Sequence, residues 1–250
     1  MDRKLLNFVN GIGELAPEVI KANLFTHISE EDPYYFIHAV ASNDMLCKIP
    51  KDLLTEDVLS FENGDGWTAV HYAAQVNGLE EVPNLTDKLL GLQTNDGQTP
   101  LHIVASLWVQ DLRFVLDRFP PSRPLVEKAM LLKDEFGYTV LHTAVCSALE
   151  AGSKEDIADI LPVGCFTPKT LMATDYCFSE DELRGAVDLT KGECPLQLIA
   201  QHYPSFVGNF IGMNLPERAR SILGDEWWDA HLALLKEPTP ATPDFDVDMF

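Results

Sequence analysis

The sequence predicts an all-α fold, a solenoid of about five stacked helical hairpins with a helical cap at each end. Three observations predict it. A ten-residue pattern recurs along the chain, each clear copy begins with residues that favour a tight turn and a helix start, and apolar residues then follow at helical spacing. Because one helical hairpin cannot bury its apolar face alone, the units are expected to stack.

Residues 1–29 are predicted to form the N-terminal helical cap. Helices are expected over residues 3–9 and 17–25, the second opened by Pro17. Between them, residues 10–16 contain the pattern Gly-x-Gly-x-x-Ala. A dinucleotide site would need a strand before this pattern and a helix and strand after it. Pro17 and the lack of strand–helix alternation predict a turn here instead.

Residues 30–210 contain the repeated pattern. It is clear over residues 65–74, 96–105 and 136–145, and fainter over 32–41 and 192–200. The copies align at positions separated by 33, 31, 40 and 55 residues, namely His38, His71, His102, His142 and Gln197. The central copies resemble the Thr-Pro-Leu-His-x-Ala signature of ankyrin repeats, whose period is about 33 residues. We therefore expect ankyrin-like repeats with insertions.

The chemistry of each copy agrees with this resemblance. Asp-Gly favours a tight turn. A threonine two residues after the glycine is placed to cap the first helical amides: Thr68, Thr99 and Thr139. Apolar side chains are then predicted to face the core: Val70, Leu101, Leu141, Ala73, Val104 and Ala144. The resemblance implies that the histidines are structural and bond backbone groups of neighbouring turns. His142 and Cys146 lie four residues apart, but no further ligands accompany them at a regular spacing, so no metal site is predicted.

The second helix of a unit is predicted at residues 109–116 and again at 154–161. Residues 120–124 are rich in proline and are predicted to be a loop. Insertions in solenoids gather on one face, often the binding face, which makes residues 119–133 and 162–190 candidates for it. Neutral loop growth, which costs little free energy, is the alternative.

Residues 211–237 are predicted to form the C-terminal helical cap, with helices over 215–223 and 227–235. The adjacent Trp227 and Trp228 are expected to pack in the core; the alternative is an exposed anchor for a partner.

Residues 238–250 form a Pro-rich linker followed by an acidic tail. The tail alternates acidic with apolar residues and ends on phenylalanine, a pattern that suits a pocket with an apolar hole and a basic rim. It resembles the acidic tip of bacterial single-stranded DNA-binding proteins, with Met249 where that tip has proline. It is also similar to sliding-clamp-binding peptides, with Asp246 where they prefer glutamine. An export signal of a bacterial effector, an intramolecular clasp on the repeats, and no role at all are the other interpretations.

The charge is strongly negative, since 18 Lys and Arg residues stand against 39 Asp and Glu residues, a net charge of −21. Such a field repels nucleic acids and anionic membranes and favours basic partners, or it serves solubility alone. No apolar stretch has the length of a membrane span and the start has no secretory signal, so we expect a cytoplasmic protein of the producing or recipient cell. The five widely spaced cysteines predict buried free thiols.

These observations predict a protein–protein interaction module that binds a basic protein partner and inhibits or recruits it, with no catalytic residues and no cofactor. The residues predicted to bind are three turn residues and the tail: Gln93, Asn95, Lys133, Asp244, Phe245, Asp246, Val247, Asp248, Met249 and Phe250. The alternatives are an acidic DNA mimic, which requires a carboxylate stripe on one face, and a bacterial effector delivered into a host cell. An enzyme would need a perturbed thiol near Cys165 and Cys177. The oligomeric state is left open.

Overall fold

The computed structural model describes residues 9, 11–27, 34–151, 161, 163–173, 194–210, 213, 215–216 and 219–229. The α-helices, numbered in chain order, are α1 Pro17–Asn23, α2 Phe36–Ser42, α3 Glu56–Leu59, α4 Ala69–Gln75, α5 Pro100–Leu107, α6 Leu112–Arg118, α7 Pro124–Leu131, α8 Val140–Glu150, α9 Pro168–Leu171, α10 Pro195–His202 and α11 Arg220–Leu223. Short 3₁₀ helices span Ile12–Glu14, Leu46–Lys48, Leu79–Glu81, Leu89–Gly91, Val163–Cys165 and Pro204–Phe210. The described part of the chain contains no strand, only an isolated antiparallel bridge between His27 and Tyr35. The all-α prediction is confirmed for these residues.

An inner row of helices forms the middle of the molecule. Helix α2 packs on α4, α4 on α5, α5 on α8, and α8 on α10, so the order in space follows the order in the chain. Each of these helices begins within one copy of the repeated pattern. The pattern therefore marks the start of every helix in this row, as the sequence predicts.

The three central helices of this row begin in the same way. Thr68, Thr99 and Thr139 are N-cap residues with extended backbone, and each donates its backbone N–H to Nδ1 of the histidine three residues later, at 3.2 Å. The residues predicted to face the core are at most 2% exposed. Turn, cap and inward-facing side chains thus recur together in each copy, and the predicted core positions are confirmed.

A second, outer layer covers the inner row. Helix α6 contacts the 3₁₀ helix Leu79–Glu81, α7 contacts the 3₁₀ helix Leu89–Gly91, and α9 contacts α7. The helix predicted at 109–116 begins instead at Leu112, because residues 108–111 form a turn in which the amide of Asp111 donates to the carbonyl of Trp108. The helix predicted at 154–161 lies outside the described residues apart from its last position.

The loop predicted at 120–124 ends one residue early, since Pro124 is already the first residue of α7. Proline is suited to this position, where a helix needs no N–H donor. Much of the suspected insertion 119–133 is therefore a helix of the outer layer. The suspected insertion 162–190 is described only over 163–173.

The two ends agree in part with the helices predicted there. Residues 10–16 contain the 3₁₀ turn Ile12–Glu14, followed by α1 at Pro17, as predicted. The helix predicted at 3–9 lies outside the described residues apart from Val9. Near the other end the predicted helix 215–223 is shorter, since α11 begins only at Arg220. Trp228 is buried, in agreement with core packing, and Trp227 is half-buried against the core.

Candidate interaction surface

Three tight turns precede helices α4, α5 and α8, over residues 63–67, 94–98 and 134–138. In each, the first residue donates its N–H to the carbonyl of the fifth, at 2.9 to 3.0 Å. The fourth residue is a glycine with positive φ, +76° at Gly66, +75° at Gly97 and +86° at Gly137. A backbone of this shape disfavours any residue with a Cβ, which explains the glycine in every clear copy.

Neighbouring turns are joined through their backbones. The amide of Asn95 donates to the carbonyl of Asp65 at 3.0 Å, and the amide of Glu135 donates to the carbonyl of Asp96 at 2.8 Å. A Cβ added at Gly66 would lie 2.8 Å from the amide nitrogen of Asn95. The glycines therefore allow the turns to approach closely, and the hydrogen bonds fix the turns as one row.

The histidines of the repeats lie beneath the turns. Nε2 of His71 is 3.1 Å from the carbonyl of Leu92 and 3.2 Å from that of Gln98, and Nε2 of His102 is 3.0 Å from the carbonyl of Tyr138. In the same way, Nε2 of His38 is 2.9 Å from the carbonyl of Phe61. Because carbonyl oxygens only accept, Nε2 carries the proton and Nδ1 accepts from the cap residue.

Burial is the main cause of a lowered pKa at these histidines. It lowers the pKa of His71 to about 4, against the opposing effect of its hydrogen bonds to two carbonyls. Burial also lowers the pKa of His38 and of His102. These rings are therefore neutral near pH 7. Each contacts backbone carbonyls of the next unit, the kind of bond that the sequence resemblance implies.

The outward-facing ends of the turns carry a row of acidic side chains and one large apolar side chain. We call Asp65, Asp96, Glu135 and Phe136 the turn-tip row. All four are exposed, and Phe136 is 66% exposed, the largest value among the exposed large apolar side chains of the described residues. Phe136 occupies the position that Asp65 and Asp96 occupy in their own turns. The row thus combines negative charge with one apolar anchor.

Aromatic side chains support the turn-tip row from below. Tyr138 is 37% exposed and its ring stacks on His142, with ring centres 5.9 Å apart. Trp67 is half-buried and packs on Tyr72 at 5.1 Å. Trp and Tyr are enriched among the residues that contribute most to binding at protein interfaces. The surface next to the tips is therefore suited to apolar contact as well as to charge.

The residues predicted to bind on the turns lie at the junctions between turns. Gln93 donates from Nε2 to the carbonyls of Gly97 and Lys133, at 2.7 and 3.0 Å, and Asn95 donates from Nδ2 to the carbonyl of Gly64 at 3.1 Å. Both side chains are exposed, and Lys133 is half-buried. Through these hydrogen bonds, the side-chain amides of Gln93 and Asn95 stabilise the row of turns.

The remaining predicted site residues, 244–250, lie outside the described residues. Sequence reasoning missed Phe136. A signal for it is present, since the other clear copies have aspartate at this position of the turn.

The thiol of Cys165 does not resemble an activated nucleophile. Burial, with a smaller effect of the Asp117 carboxylate, raises the pKa of Cys165 to about 12. Catalytic thiols have a lowered pKa. Cys47 is exposed, so the prediction of buried thiols is wrong for this residue, which lies at the surface in the 3₁₀ helix Leu46–Lys48. Cys177 lies outside the described residues.

In the part of the chain that the structure describes, no group of three or more His, Cys, Asp or Glu side chains is arranged to hold a metal ion. Within the same residues, no helix combines the length and apolar character required to cross a membrane.

Comparison of the chain with known protein families and with curated proteins finds no match.

Proposed function

We propose that this chain is an ankyrin-repeat protein whose function is to bind another protein through the turn-tip row. The observation that carries the proposal is the joining of successive turns, in which Glu135 donates to Asp96 and Asn95 to Asp65. A row fixed in this way presents its side chains at little cost in conformational entropy on binding. Stacked repeats of this kind present extended binding surfaces.

The charge of the row defines the class of partner. The row carries three carboxylates and the exposed ring of Phe136, and the chain as a whole carries a net charge of −21. A complementary segment would place basic side chains along the tips and an apolar side chain against Phe136 and Tyr138. Electrostatic attraction would speed association, and the apolar contact would slow dissociation.

The location that suits this function is the cytoplasm of the producing cell, or of a recipient cell if the protein is a delivered effector. Inhibition and recruitment of the partner are both compatible with the surface. A DNA mimic is less well supported, because exposed carboxylates lie on the tips and also on the outer layer, for example at Glu80, Glu81 and Asp117.

Binding is tested by capture from lysates of producing and candidate recipient cells, with two matched variants of the full chain. The tip variant combines Asp65→Lys, Asp96→Lys and Phe136→Ser. The outer variant combines Glu80→Lys, Glu81→Lys and Phe114→Ser, at three residues that are also exposed. Each variant is first shown to keep the unfolding midpoint of the unchanged protein.

A partner retained by the outer variant and lost by the tip variant supports the proposal, provided that its capture also weakens at high salt. A partner that both variants retain, or that only the outer variant loses, overturns the assignment of recognition to the turn-tip row.

A further inference from the structure

A groove lies between the segment that contains the 3₁₀ helix Leu89–Gly91 and helix α7. Its volume is about 240 Å³, and it is lined in part by Leu92, Leu125 and Leu132, with Lys88 and Lys128 among its polar residues. This volume is below the usual range of about 300–1,000 Å³ for small-molecule sites. A groove of this size suits one or two side chains of an extended peptide.

The groove differs in charge from the chain around it. Two of its lining residues are lysines and one, Asp87, is acidic, whereas the chain has more than twice as many acidic as basic residues. Asp87 is paired with Arg123 at 2.8 Å, and Lys88 with Glu56. Lys128 is exposed and has no ion pair within the described residues. The groove therefore offers an apolar floor beside an available cation.

Leu125 is the most exposed apolar residue that lines the groove. It is 51% exposed on the first turn of α7, while Ala129, one helical turn further, is buried. The side chain of Lys128 lies three residues after Leu125, on the neighbouring part of the helix surface. An occupant that contacts both must carry apolar and acidic side chains close together.

The C-terminal segment has this pattern. Asp244, Asp246 and Asp248 alternate with Phe245 and Val247. Each apolar side chain of this segment therefore has a carboxylate one residue away, about 3.3 Å along an extended chain. Asp244 comes 15 residues after Asp229, the last described residue. Fifteen extended residues span up to about 50 Å.

Helix contacts connect the groove with the C-terminal end of the described residues. Helix α7 contacts α8, α8 packs on α10, and α10 contacts α11. Packed helices are about 8–10 Å apart, so three such steps cover roughly 30 Å, less than the roughly 50 Å that fifteen extended residues span.

We propose that residues 244–248 of this chain bind in the groove of the same molecule, with Phe245 against Leu125 and the aspartates beside Lys128. The tail is then a ligand of its own repeats. This inference does not depend on the function proposed for the turn-tip row, because Asp65, Asp96, Glu135 and Phe136 do not line the groove, although Gln93, which supports the row, does.

The test is zero-length coupling of carboxylates to lysines by a carbodiimide in the full chain, read by mass spectrometry. The ion pairs Lys88–Glu56 and Lys169–Glu127 calibrate the reaction. We expect Lys128 to couple to Asp244, Asp246 or Asp248. Mixing heavy-isotope and ordinary chains shows whether the coupled residues belong to one molecule.

Leu125→Gln removes the apolar contact and leaves the reacting Lys128 in place. We expect it to lower the yield of the Lys128–tail product about fivefold, the scale of one partly buried apolar contact. Leu107→Gln is the matched control, since Leu107 is 53% exposed on α5 and does not line the groove. It should leave the yield unchanged.

Four results would overturn the inference. One is coupling of the tail to Lys21 and Lys51, which are exposed elsewhere, as often as to Lys128. Another is an equal effect of the two leucine variants. The third is a product that joins heavy and ordinary chains, which would assign the groove to a second copy. Absence of any tail product, with the calibrating pairs coupled, would also count against it.

Discussion

Gly97 and Lys133 are in contact across two consecutive turns, because a Cβ at Gly97 would lie 2.8 Å from the carbonyl oxygen of Lys133. Gly97 also has a φ of +75°, a conformation that costs other residues about 1–2 kcal/mol. Both effects act on the same substitution. We therefore expect Gly97→Ala to lower the free energy of unfolding by at least about 2 kcal/mol, measured by urea unfolding.

Gly13→Ala is the control for this substitution. A Cβ at Gly13 would meet no atom within 4 Å, and its φ is not in the left-handed region. We expect its free energy of unfolding to change by less than about 0.5 kcal/mol, as for most surface substitutions. Equal losses of unfolding free energy in the two variants would show that contact between the turns does not restrict which residue can occupy position 97.

Acid should destabilise the fold through the buried histidines. The pKa of His71 is lowered to about 4 from the ordinary value of 6.5, so the unfolded chain binds more protons than the folded chain between these values. The stability that the neutral ring of His71 contributes is fully present above pH 6.5 and is lost as the pH falls to about 4. The loss is roughly 3 kcal/mol for His71, since one pKa unit corresponds to about 1.4 kcal/mol.

His71→Gln separates this effect from the titration of carboxylates. Gln197 stands at the equivalent position of the last copy, where its Oε1 accepts from the amide of Cys194 at 2.9 Å. Glutamine can therefore keep the contact with the helix start but cannot titrate. The free energy of unfolding, measured by urea at pH 7.5 and pH 4.5, should fall less in the variant than in the unchanged protein. If the free energy of unfolding falls equally in the variant and in the unchanged protein, titration of His71 is not the source of the acid sensitivity.

The starts of the inner helices were predictable because turn, cap and core residues are adjacent in sequence. The cap at Thr99 and the burial of Leu101 depend on neighbours within a few residues. The roles of Gln93 and Asn95 were not predictable in this way. Their amides bind carbonyls of other turns, at Lys133 and Gly64, 40 and 31 residues away. Their position at the predicted turns singled out both residues, but only the approach of neighbouring turns gives their side chains hydrogen-bond partners.

The outer layer was harder to predict than the inner row. The unit that begins with α4 has 3₁₀ helices at Leu79–Glu81 and Leu89–Gly91 in its second half. Such short elements carry too few residues to show a helical period. The start of α7 at Pro124 was not predicted, because the Pro-rich residues 120–124 indicate a loop. The groove beside α7 depends on packing between these two irregular parts, so no local pattern could reveal it.

Leu101 is expected to be essential for stability. It is fully buried in α5, between α4 and α8. Leu101→Ala should lower the free energy of unfolding by roughly 2–5 kcal/mol, the range for truncation of a buried leucine. Leu107→Ala, on the same helix but 53% exposed, should cost much less. Urea unfolding of both variants measures the difference, and an unchanged midpoint for Leu101→Ala would contradict its place in the core.

The thiols should differ strongly in reactivity. Cys47 is exposed, whereas Cys165 is buried and its pKa is raised to about 12. Because the thiolate is the reactive form, we expect iodoacetamide at pH 8 to modify Cys47 in the native protein and Cys165 only after unfolding. Peptide mass spectrometry of samples taken over time, with and without denaturant, measures both rates. Rapid native modification of Cys165 would mean that its thiol is accessible and activated, and would support a nucleophilic enzyme.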